Sequence, residues 1–295
     1  MEPIILGIAL VNGILIGGLY GAVALSLSLI FGVMRVINFA HGSLLMVAMF
    51  VSYWLWRLLG LSPYVSIVCA APILFGIGYF IQATVISPLF KRERAMVLEP
   101  LSVLLLTAGV FMILDNSALL LFGPDFRAVQ MDFSIKTIRI GILSINWARL
   151  IAFLAGIGVT VAFSLFLSHA EMGRAIRATA QNRDAAALSG IDVPKIYNIT
   201  FGLGCAVLGI IGSLMVPFYP VSPSLGIAFG IKSFIVVVLG GIGSLPGCIL
   251  GGLLLGIVES VTAQFVTSTS AAIFSFVIFI LVLTFKPTGL MGQRV

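Results

Sequence analysis

The chain has 295 residues, 60% of them apolar and 9% charged, with a formal net charge of +6. Soluble domains run at about 45–50% apolar and about 25% charged, so this supply of charge cannot clothe a water-exposed surface. The composition, with a mean hydropathy of +1.22, excludes an ordinary soluble enzyme and a disordered chain, and makes lipid the solvent for most residues.

A membrane helix needs about 20 mostly apolar residues. Apolar runs lie at 4–33, 37–58, 62–86, 97–121, 147–168, 194–218, 227–242, 246–266 and 271–286. They are long and unbroken, where barrel strands would alternate over about ten residues. The expected fold is therefore all-α: one polytopic transmembrane domain over residues 1–295, with about eight or nine spans. The first run carries no positive n-region, since Glu2 is the only charge before Arg35, and it reads as a retained helix rather than a cleaved signal. The run at 227–242 is short and ends in Gly240-Gly241, which reads as a span that is broken or re-entrant.

With nine spans, ten Lys and Arg fall on one side: Arg35, Lys91, Arg92, Arg94, Arg174, Arg177, Arg183, Lys195, Lys286 and Arg294. Six fall on the other: Arg57, Arg127, Lys136, Arg139, Arg149 and Lys232. The positive-inside rule then puts the N-terminus outside and the C-terminus in the cytoplasm. Residues 122–146 become an outer loop, with Gly123-Pro124-Asp125 as a turn signal, and 169–193 an inner one. Seven of the 26 charged residues fall between Glu171 and Lys195. Alanine is plentiful there and no proline interrupts from Glu171 to Gly190, so a short cytoplasmic helix is predicted. Gly190 would be its C-cap and Pro194 would open the next span.

Gly13, Gly17 and Gly21 recur every four residues, as do Gly243, Gly247 and Gly251. Such stripes let another helix backbone approach closely, and their similarity hints at an internal repeat of the transporter kind. Polar residues within or at the ends of the runs are Asn12, Asn38, His41, Gln82, Asp115, Asn116, Lys232, Glu259 and Gln264. Ionisable groups at membrane depth usually face a pathway or a partner. Lys232 has a plainer reading, snorkelling to the interface. Glu259 is more central, and a buried pair with a cation elsewhere is open to it, although the sequence assigns none. The stretch Arg35 to Gly42 reads either as a hairpin whose polar groups satisfy the backbone or as a lining of the inner mouth of a pathway. The physics of the residues favours the hairpin.

Cys69, Cys205 and Cys248 lie in apolar runs without metal spacing, as small buried hydrophobes do, and no cofactor is expected. There is no phosphate-binding G-x-x-x-x-G-K-[ST] loop, no G-x-S-x-G elbow and no H-E-x-x-H. The basic balance is explained by cytoplasmic loops rather than nucleic acid. The chain thus has the body of a transporter without an engine, and its charged inner helix is a candidate docking point for one.

Three stretches together resemble one family: Phe31-Gly32-Val33-Met34-Arg35-Val36-Ile37-Asn38-Phe39-Ala40-His41-Gly42, then Gly173 to Ile191, then Lys232-Ser233-Phe234 with Val238 to Gly247 and Gly251-Gly252. The chain is similar throughout to the LivH-type permease subunits of bacterial importers of branched-chain amino acids that carry an ATP-binding cassette. The resemblance implies a pathway built with a homologous LivM-like permease in the inner membrane, two cytoplasmic ATPases and a periplasmic binding protein. It makes this chain a transport subunit and not an enzyme. The inner helix is similar to the coupling helix of such importers, where Asp184-Ala185-Ala186 and Gly190 match E-A-A-x-x-x-G with Asp for Glu. The hydrophobic-proline continuation of that signature is not present. The implied ATPase-coupling residues are Glu171, Gly173, Arg174, Arg177, Asn182, Arg183, Asp184 and Gly190, and the pathway candidates are Asn38, His41 and Glu259. Alternatives are an importer of urea or short amides, whose permeases share N-x-A-H-G, and an ion-coupled transporter using Asp115 or Glu259. An intramembrane enzyme lacks a paired nucleophile and base.

Overall fold

The computed structural model describes residues 3–89, 101–131, 136–140, 143–286 and 288–292. Lys91, Arg92, Arg94 and Arg294, which enter the charge count above, lie outside them.

The helices are α1 (Pro3–Met34), α2 (His41–Leu59), α3 (Pro63–Ile81), α4 (Leu101–Phe122), α5 (Trp147–His169), α6 (Glu171–Gln181), α7 (Arg183–Leu188), α8 (Val193–Met215), α9 (Leu225–Gly240), α10 (Leu245–Thr262) and α11 (Ser268–Phe285). A π-turn at Gln82–Ile86 extends α3 towards Leu89. Among the described residues seven helices are long and apolar enough to cross a bilayer, and α9 and Ile273–Phe285 of α11 are shorter apolar helices. A two-stranded hairpin, β1 (Thr137–Ile140) and β2 (Leu143–Asn146), stands before α5, with Thr137 opposite Asn146. It lies in the predicted outer loop, where a turn and no strand is expected from the sequence.

The helix starts are written locally. Asn146, Asp192, Ser244 and Thr267 each accept a backbone N–H of the following first turn, and Pro63, Pro194 and Pro246 open α3, α8 and α10, where a missing N–H costs nothing. The last carbonyls of α9 would be orphans. Those of Leu239 and Gly240 accept from Leu290 and Met291 at 2.7 and 2.9 Å, so the C-terminal tail closes that helix.

α1 runs through the middle of the bundle, against α5, α8, α9 and α10. The core lies where these meet α2, and Leu25, Leu44, Met46, Leu208 and Val236 are fully buried there. Large apolar residues on outer faces stay exposed, including Val68 (74%) and Leu120 (87%), as a hydrocarbon solvent allows. Cys205 and Cys248 are buried, whereas Cys69 is on an exposed face.

The α1 glycine stripe packs on α10 through Gly252 and Gly256, not through the predicted Gly243, Gly247 and Gly251 stripe. A Cβ on Gly17 would stand 2.7 Å from the Gly252 carbonyl oxygen, and one on Gly21 2.9 Å from that of Cys248. As numbers rise along α1 they fall along α10, so the pair is antiparallel, with no side chain between the backbones. Gly247 and Gly251 face α9 instead, through Gly240 and Val236. Gly243 is not part of a helix face. It sits in the α9–α10 turn at φ +79°, a left-handed conformation that favours glycine.

α9 is continuous over its 16 residues. The break lies elsewhere, at residues 35–40 between α1 and α2.

Candidate functional site

Met34 is eight residues beyond Ser26 on α1, about 12 Å along a helix. Yet His41, which follows the break, brings its Nε2 to 3.2 Å from both the Ser26 hydroxyl and the Val23 carbonyl. The chain therefore turns at Arg35, whose φ is +55°, and retraces part of α1 in non-helical form before α2 begins.

Irregular backbone at membrane depth needs partners for its polar groups. The Asn38 carboxamide oxygen accepts from the Ala40 N–H at 3.0 Å. The Thr107 hydroxyl of α4 accepts from the Phe39 N–H at 3.2 Å and lies 3.4 Å from the Ile37 carbonyl. The hairpin reading of this stretch is thus realised, and α4 holds it in place. Asn38 is 4% exposed and its Nδ2 is buried without a hydrogen-bond partner among the described residues.

Beside the break is a cavity of about 380 Å3, walled by Leu27 of α1, Asn38 and Phe39, Phe111 of α4, and Ile231 and Phe234 of α9. Asn38 lines it. His41 does not: it is 1% exposed and packed against α1, so its role is to seat the start of α2. Asp115 stands one helical turn beyond Phe111. It accepts from the Ser43 hydroxyl at 2.5 Å and has no salt bridge among the described residues.

Glu259, the third interior candidate, is paired. Its Oε1 lies 2.5 Å from Lys232 Nζ, which also donates to the Tyr20 hydroxyl at 2.8 Å. Lys232 does not snorkel away; it joins α9 to α10 and α1. Phe229 and Tyr219 pack edge-on at 5.3 Å beside this group.

The charged inner segment forms two helices rather than one. Asn182 ends α6 and caps α7, accepting from the Asp184 and Ala185 N–H groups at 3.0 Å. α7 closes with Gly190 at φ +84°, where the Gly190 N–H meets the Ala187 carbonyl and the Ile191 N–H the Ala186 carbonyl, a Schellman end. Gly173, Ile176 and Thr179 form the buried face of α6. Gly173 faces inward, and a Cβ there would stand 2.6 Å from Leu167 Cα of α5, so it is a packing residue and presents nothing to a partner. Arg174 and Arg177 donate to the His169 and Ser168 carbonyls at 3.0 and 3.2 Å, which satisfies the end of α5. Glu171, Arg174, Arg177, Asn182, Arg183, Asp184 and Gly190 are exposed. The Glu171–Arg174 and Arg183–Asp184 contacts, 3.8 and 3.7 Å at the surface, contribute little. Leu188 is 91% exposed among these charges. A leucine two residues before a helix-ending glycine is a signal that the sequence itself carries.

The family profile described as branched-chain amino acid transport system / permease component matches residues 9–285. The chain is 30% identical over 309 aligned residues to the high-affinity branched-chain amino acid transport system permease protein LivH of Escherichia coli K12, covering 96% of this chain and 94% of that one. It is 31% identical over 297 residues to BraD, a protein of the same description from Pseudomonas aeruginosa, covering 96% and 95%. It is 28% identical over 297 residues to a probable LivH of Methanocaldococcus jannaschii, covering 95% and 91%. No solved structure matches. A polytopic helical body matched from its first helix to its last by one profile leaves a single assignment: the chain belongs to the branched-chain amino acid transport system permease family.

Proposed function

We infer that this chain forms half of the translocation pathway of an ATP-driven importer of branched-chain amino acids, and that the α6–α7 elbow is where cytoplasmic ATPases act on it. The observation that carries the reading is the elbow itself. Exposed charges and an exposed Leu188 sit on a segment tied to α5 by the Gly173 packing and the Arg177–Ser168 bond, on a chain without a phosphate-binding motif.

In this reading Leu188 and the α7 surface seat in a groove of an ATPase subunit. Closure of the ATPase pair pushes the elbow, and the α5 joint passes the displacement into the bundle as a rigid-body movement. A second permease completes the pathway, a periplasmic binding protein delivers the substrate, and the protein sits in the inner membrane with its N-terminus outside. Asn38 lies on the pathway; His41 and Glu259 hold the helices that frame it.

The test is ATP hydrolysis and leucine uptake measured together in proteoliposomes holding the whole transporter. Arg183→Glu and Leu188→Asp are expected to lower uptake while basal hydrolysis by the ATPases continues. Wild-type coupling in both variants would remove the elbow from the mechanism. Uptake of leucine by this chain alone, driven by an ion gradient, would favour the secondary-transporter alternative.

A further inference from the structure

We propose that the cavity beside the α1–α2 break is the subsite for the amino acid itself, with the aliphatic side chain in the apolar pocket and the carboxylate on Asn38; this rests on the importer reading above. The pocket walls are hydrocarbon: Leu27, Phe111, Ile227, Ile231 and Phe234. Its volume of about 380 Å3 falls in the range of small-molecule sites, and nothing polar lines it except the segment that includes Asn38.

One polar group points to an anionic head on the occupant. Asn38 Nδ2 is buried in the wall of the cavity with two N–H donors and no acceptor among the described residues. Its own oxygen is committed to Ala40, so the side chain is held with the donors free. Buried donors without an acceptor are unfavourable, and an arriving carboxylate supplies the missing bonds. Asp115, one turn along α4 from Phe111, is not a lining residue; its carboxylate accepts from the Ser43 hydroxyl of α2. Donor and hydrocarbon wall together fit a carboxylate that carries a branched aliphatic side chain, and do not fit urea, which has no side chain and no charge.

The experiment uses the complete transporter in proteoliposomes, with radiolabelled leucine and alanine as probes. Ile231→Trp fills the pocket and should lower leucine uptake relative to alanine by about tenfold, the scale on which apolar pockets discriminate. Asn38→Asp keeps the oxygen that holds Ala40 and removes the N–H donors. It should raise the KM for leucine by at least about tenfold. Should these variants fail to assemble, Phe234→Cys in a Cys69→Ser background replaces them: leucine should slow its labelling by a methanethiosulfonate. Unchanged leucine preference in Ile231→Trp, or labelling of Phe234→Cys that leucine does not slow, overturns the assignment of the cavity. A wild-type transporter that moves urea and no leucine overturns the importer reading instead.

Discussion

Lys232 and Glu259, 27 positions apart in sequence, meet at 2.5 Å in the interior of the bundle. Their side chains are 20% and 22% exposed, the lysine ammonium lies 4.7 Å from the Tyr20 ring centre, and the second glutamate oxygen is buried without a partner among the described residues. Two charges that would each be expensive in hydrocarbon neutralise one another and bind α9, α10 and α1 at one point. Replacing either alone leaves an uncompensated charge. Lys232→Met and Glu259→Gln should each lower the unfolding temperature of the detergent-solubilised protein, and the double variant should recover part of the loss. A coupling of about 0.5–3 kcal/mol is expected from the cycle; strictly additive losses would show that the pair is not coupled.

The α1–α10 crossing has no room for a methyl group. Gly17→Ala directs its Cβ at the Gly252 carbonyl oxygen, 2.7 Å away, and should cost about 1–3 kcal/mol through forced separation of the helices. Gly158 on α5 has nothing within 4 Å of such a Cβ, so Gly158→Ala should be neutral or stabilising by up to about 1 kcal/mol through helix propensity. Thermal unfolding of the two variants side by side checks this; equal effects would contradict it.

Asn182 and Gly190 shape the elbow at its two ends. Asn182→Ala removes the acceptor for two N–H groups and should destabilise α7 by about 1 kcal/mol. Gly190→Ala forces a Cβ into the left-handed conformation at a cost of about 1–2 kcal/mol, and Gly190→Asn should be milder. Proteolysis of the elbow in the intact protein reads both, and should quicken in the order Asn, then Ala, at position 190. Unchanged cleavage would mean that α7 does not depend on these ends.

The C-terminal tail acts as a cap. Ending the chain at Lys286 removes the donors of Leu290 and Met291 from the Leu239 and Gly240 carbonyls. Two backbone bonds at about 0.5–1.5 kcal/mol each set the expected loss. Hydrogen exchange at the end of α9 should rise in the truncated protein, and an unchanged rate would assign the closing of α9 to something else.

Much of this protein is written locally. A bilayer demands runs of apolar residues of helix length, so the spans, the charged inner segment and the glycine stripes are all legible along the chain. The capping residues and prolines add the starts of α3, α5, α8 and α10. Asn182 is a case where the letters were present and the inference fell short: an asparagine within an alanine-rich stretch can cap a second helix, and it does. What the tertiary structure alone decided is which groups meet. Glycines report that a backbone approaches without naming the helix that does so, and only packing set Gly17 against Gly252 and moved Gly243 into a turn. Glu259 found its cation on α9 because helix neighbours in a bundle are chosen by surfaces far apart in sequence. The retracing of α1 by residues 35–40 has no periodicity to announce it; the apolar run simply continues. It exists because Thr107 and Asn38 satisfy its backbone, and a hydrogen bond across 68 positions leaves no mark in the order of residues.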